Sequence, residues 1–200
     1  RPEGLVLPAI QLVFLVLVLA APAFIFFTKE GPGAKHAAVL ISLLAGLLVG
    51  ALAQHTRMCM VGGIRDFILF REPKLLIGFC MIFVSALLAN LMSGHFHPGF
   101  ADQPVAHTES LWNFLGMLLA GYGCCLLGGC PLRQMVMAGE GNTDSAVTYL
   151  GLFVGAAFAH NFALASSGKG STPNGRIAVI LGLIVVTVIA VSNTFNKKEA

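Results

Sequence analysis

The sequence predicts an all-α membrane protein of about six transmembrane helices, with two internal repeats and broken or re-entrant helical hairpins. Three observations carry this. The first is composition: 56% of the 200 residues are hydrophobic and 10% charged, with a mean hydropathy of +0.84, whereas soluble domains carry about 25% charged residues. The second is a series of apolar runs long enough to cross the hydrocarbon core, roughly 17–25 residues each. The third is self-similarity at an offset of 71, which pairs Gly50 with Gly121, Cys59 with Cys130 and Asn90 with Asn161.

Taken in chain order, the first run (5–27) ends in "FFTKEGPG", which is not the small-residue cleavage site of a signal peptide. The chain begins at Arg and reads as part of a longer one. The second run (37–53) leads into "HTRMCMVGGIRD", and a third apolar run (75–93) follows. The loop 94–110 has no Lys or Arg, whereas "REPK" (71–74) and "NKKEA" (196–200) are basic, so the positive-inside rule places 94–110 outside and the C-terminus inside. Lys29, Lys35, Lys169 and Arg176 on the outer side make that bias modest. The run 111–127, interrupted by Gly121 and Gly123, leads into "GGCPLRQMVMAGEGNTD"; the runs 145–164 and 176–194 complete the set.

The domain organisation expected is a single transmembrane domain over 1–200. Repeat 1 covers 37–93, repeat 2 covers 111–164, and helices 5–27 and 176–194 flank them. Repeats around broken helices mark transporter folds, whose substrate path lies between the repeats. Counting only full crossings, the repeats are parallel; a hairpin half-helix that crosses would make them inverted. "GLLVG" (Gly46, Gly50) and "GLFVG" (Gly151, Gly155) have the small-xxx-small spacing of close helix approach, and they also fit the general abundance of glycine in membrane helices.

The residues able to carry chemistry gather at the two breaks. Pro131 has no N–H and disfavours helix at the residue before it, so no regular helix runs through Gly129–Cys130–Pro131. Irregular backbone at membrane depth is tolerated only when buried in protein or lining a cavity. Cys59 occupies the same place in the first copy. Arg133 and Arg65 follow their cysteines; an arginine at membrane depth costs roughly 2.5–3.5 kcal/mol on insertion scales and is usually paired or functional. Asp66 is placed to neutralise Arg65, and Arg57 is equally open to an ordinary reading. Asn90 and Asn161 are supporting residues, able to hydrogen-bond hairpin backbone from the next helix.

Other classes fit less well. Five cysteines, an odd number in apolar surroundings, do not make a disulfide scaffold. Cys124, Cys125 and Cys80 read as small packing residues, and His160 as a packing histidine. Cys59 and Cys130 have no CxxC partner, so a membrane thiol oxidoreductase would rest on the Cys124–Cys125 pair. "MCM" (58–60) offers soft ligands for a metal transporter, but three consecutive residues do not face one point in a helix. No metal site, cofactor site, enzyme motif or nucleic-acid surface is legible.

At "QHTRMCMVGGIRD", "GGCPLRQMVMAGEGNTD" and "GAAFAHNFALASSGKG" the chain resembles the YeeE/YedE family of bacterial inner-membrane proteins. It is most similar to the C-terminal half of the YedE branch linked to selenium metabolism. The resemblance implies a multi-pass protein that imports a small sulfur- or selenium-containing anion such as thiosulfate. The partners it implies are the lipid bilayer and either the N-terminal half of a longer chain or a second copy. Cys59 and Cys130 map to the narrow points of the path. A neutral thiol is a weak donor that binds a soft anion without holding it tightly, and conduction requires release.

Overall fold

A computed structural model of the chain describes residues 3–20, 37–99 and 107–196. The end of the first apolar run (21–27), Lys29, Lys35, residues 100–106 of the outer loop and the tail 197–200 lie outside them. Eight helices are found among the described residues: α1 (Glu3–Ala20), α2 (Val39–Thr56), α3 (Met60–Phe70), α4 (Lys74–Met92), α5 (Ser110–Leu126), α6 (Pro131–Gly139), α7 (Thr143–Asn161) and α8 (Pro173–Asn196). One isolated bridge, Ser167 with Gly170, is their only β pairing. The protein is all-α.

Four helical segments are long and apolar enough to cross a bilayer: Val39–Phe70, Lys74–Met92, Ser110–Gly139 and Pro173–Phe195. The first and third each take in a long helix, a break and a short helix. The run expected at 145–164 is helical as α7 but is not among the four. Thr143, Asp144, Ser145 and Thr148 at its start, with His160 and Asn161 at its end, lower its hydropathy.

The breaks have a common local cause. α2 ends in a left-handed residue, Arg57 (φ 50°). The N–H groups of Arg57 and Met58 there return to the carbonyls of Gln54 and Ala53. α5 ends the same way at Gly128 (φ 73°), with Gly128 and Gly129 donating to Cys125 and Cys124. Both are Schellman closures, which satisfy the last carbonyls and turn the chain out of the helix. After each closure a cysteine precedes a short helix, α3 or α6.

The chain divides into two compact units. The first comprises Arg1–Met58 and Pro131–Tyr149, where α6 packs on α1 and α2. Its closest backbone approach is Gly4 to Gly141: a Cβ on Gly4 would lie 2.8 Å from the Gly141 carbonyl oxygen. The second comprises Cys59–Cys130 and Leu150–Ala200, in which α3 packs on α4 and α5, and α5 on α8. Gly63 sits against the α4 backbone, where a Cβ would be 3.2 Å from the Leu76 nitrogen, and Gly182 sits against Leu119.

These are not the glycines singled out by the small-xxx-small spacing. Within this chain Gly46, Gly50, Gly151 and Gly155 have nothing within 4 Å of an added Cβ. The spacing marks a smooth helix face, but within this chain the close contacts form at other glycines: Gly4, Gly63 and Gly182. Few described side chains are buried, and the exposed apolar surface of α4 and α8 suits a lipid environment.

Candidate functional site

In the second unit the two cysteines meet. The Cys130 N–H donates to the Cys59 Sγ at 3.5 Å, and the Gly62 N–H donates to the same sulfur at 3.3 Å. Cys59 is 7% exposed and Cys130 9%, in a chain with few buried residues. Gly62, Gly63 and Gly129 are buried with them.

The local chain explains the arrangement. Cys59 is extended (φ −150°, ψ 116°) and is the N-cap of α3, its sulfur taking the place of the usual capping oxygen. Gly62, in the first turn, must be small: its Cβ would lie 3.3 Å from the Cys59 Cβ and 3.5 Å from Sγ. Pro131 opens α6 at the position where a missing N–H costs nothing. The result is a buried sulfur that accepts two backbone N–H groups, one from its own helix and one from a residue 71 positions away.

The other expected residues divide. Arg133 lies in the first turn of α6, and its Nη1 is buried with no hydrogen-bond partner. A guanidinium donor withheld from both water and protein has a free bond to offer an acceptor. Arg65 is 58% exposed and bonded to Asp66 at 2.8 Å, the neutralisation its neighbour suggested. Asn161 donates to the Ala157 carbonyl of its own helix at 2.8 Å rather than to hairpin backbone. Asn90 is exposed, and its carbonyl accepts from His95 N–H and Ser93 Oγ.

Sequence reasoning missed Gly62, for which "VGG" was the available signal. It also missed the pairing of Cys59 with Cys130. The want of a CxxC spacing suggested two isolated thiols, whereas the fold makes them neighbours. Among the described residues no group of three His, Cys, Asp or Glu is placed to hold a metal ion.

The fold and the site define a class: a multi-pass, all-α membrane protein with two buried cysteines at helix breaks. Within that class the chain belongs to the sulphur transport family, whose model matches residues 55–197 and so takes in both cysteines and every helix from α3 to α8. Its role is membrane transport of a sulfur-related substrate. No curated protein and no solved structure matches the chain.

Proposed function

We propose that the protein takes a small sulfur- or selenium-containing anion inward across a bacterial inner membrane, along a path lined by Cys59 and Cys130. It does so as the C-terminal half of a longer chain or beside a second copy. One observation carries the reading: two buried thiols in a sulphur transport protein are held together at helix breaks, with backbone N–H groups aimed at sulfur. A soft anion finds there weak donors that permit release. Arg133 enters through its unpartnered Nη1, an acceptor-seeking cation that favours an anion over a neutral or cationic cargo. Gly129 and Pro131 keep the backbone open beside Cys130, and Arg65, already paired, contributes less. Resemblance to the selenium branch extends the substrate class to selenium analogues, whose soft anions are similar in charge and size.

The test is uptake of labelled thiosulfate and selenite by cells carrying the protein. Cys130→Ser, which keeps a donor of similar size, retains part of the uptake, and Cys130→Ala loses nearly all. A fully active Cys130→Ala takes Cys130 off the path. The closeness of the two thiols also supports a second reading, a thiol oxidoreductase working through a Cys59–Cys130 pair. That reading gains if Cys130→Ser is as inactive as Cys130→Ala.

A further inference from the structure

At the N-terminal ends of α5 and α8, both in the second unit, four side chains from distant parts of the sequence are wired together. Glu109 accepts at Oε2 from the Ser171 N–H (3.0 Å) and from the Ser171 hydroxyl, and at Oε1 from Arg176 Nη2 at 2.8 Å. Arg176 Nε donates to Ser171 Oγ at 2.8 Å, and its guanidinium carbon lies 5.3 Å from the Trp112 ring centroid. A cavity of about 410 Å³ opens beside them, lined in part by His107, Trp112, Ser171 and Arg176. His107 Nδ1 is buried with no hydrogen-bond partner.

We propose that this pocket is a binding site for a small oxyanion, in which the Glu109 carboxylate stands where the ligand's oxygens go. The proposal rests on the reading of the chain as a path for a small anion and adds a first station to it, separate from the cysteines. A backbone N–H, a hydroxyl and a guanidinium edge aimed at one pair of oxygens are the donor set a sulfur oxyanion requires. The set is preformed. The Arg176 guanidinium lies over the Trp112 ring, and Thr172 Oγ1 caps α8 through the Gly175 N–H at 3.0 Å. The α8 N-terminus also favours negative charge.

This strap is only partly buried. The Arg176 and Glu109 side chains are 39% and 36% exposed. Exposed ion pairs are weak, so a doubly charged ligand that satisfies the same donors can displace the carboxylate. His107, whose Nδ1 is buried without a hydrogen-bond partner, is among the residues that line the cavity. Gly170 (φ 134°) lets the carboxylate fit: a Cβ there would lie 3.3 Å from Glu109 Oε1.

Trp112 is the chain's single tryptophan, so its fluorescence reports directly on Arg176. Sodium sulfate and sodium thiosulfate are titrated into the purified chain in neutral detergent at constant ionic strength. The expected result is a saturable change in the wild type and half-saturation at about fivefold lower concentration in Glu109→Gln and Glu109→Ala, the factor by which an exposed ion pair competes. Arg176→Gln shows no change. Titrations like the wild type in both Glu109 variants, or no response in any chain, overturn the proposal. So does a response that needs phosphatidylglycerol in place of phosphatidylcholine vesicles and ignores the free anions, because the ligand is then a lipid headgroup. Cys130→Ala keeps the fluorescence response, so loss of uptake in that chain bears on the cysteine path and not on this pocket.

Discussion

Arg57 and Gly128 do the same job with different chemistry. Both hold a left-handed conformation at the end of a long helix, two residues before a cysteine. For a residue with a Cβ that conformation costs on the order of 1–2 kcal/mol. Glycine there avoids the cost but brings about 0.5–1 kcal/mol of extra unfolded-state freedom. Arg57→Gly is therefore expected to stabilise the protein by up to about 1 kcal/mol, read as a higher thermal midpoint in detergent. A lower midpoint would show that the Arg57 side chain holds something its backbone does not reveal. At Glu109 the direction is set by hydrogen bonds from Ser171, then by the Arg176 charge, which together hold the carboxyl below its ordinary value. A depressed acid contributes stability above its unfolded pKa and loses it only as pH falls through the lower folded value. The stability difference between wild type and Glu109→Gln should thus stay constant from neutral pH down to the ordinary glutamate range and shrink only in stronger acid. A difference that shrinks already near neutrality contradicts this.

Among the elements, the short helix α3 shows most plainly where a glycine is needed for packing. α3 lies against α4 through Gly63, where an added methyl meets the Leu75 and Leu76 backbone at 3.2–3.3 Å. Backbone cannot give way as a side chain does, so Gly63→Ala should cost about 1–3 kcal/mol. Gly50→Ala and Gly155→Ala meet nothing within 4 Å in this chain and should be neutral or mildly stabilising. Denaturation midpoints of the three variants test the contrast; if Gly50→Ala is as damaging as Gly63→Ala, another surface covers that face. The long helices were legible because hydrophobic runs at membrane length have little else to be. α3 and α6 were legible only as interruptions: at 11 and 9 residues, short helices between polar turns look like irregular hairpin in sequence. The glycine contacts were not legible, since small-xxx-small spacing shows what a face permits and not what reaches it.

For the whole molecule, chemistry could be read from the sequence where it was local and not where it was distant. The Cys130–Pro131 break and the Arg65–Asp66 pair both follow from neighbours in the chain. The Cys59–Cys130 contact spans 71 positions, and the Glu109–Arg176 pair spans 67. The repeat marks the two cysteines as equivalent positions without saying that they touch, and the Glu109–Arg176 pair has no spacing signature; tertiary packing alone brings each pair together. The central claim is that the substrate passes Cys59 and Cys130. It is tested most directly in the protein with Cys80, Cys124 and Cys125 replaced by Ala, so that these two are the thiols left within residues 1–200. Uptake of labelled thiosulfate by cells is measured before and after N-ethylmaleimide, with modification of each cysteine followed by mass spectrometry. The account predicts that the triple variant still transports, that alkylation of Cys59 or Cys130 blocks uptake, and that thiosulfate slows the alkylation. Full transport by a chain alkylated at both cysteines would contradict it.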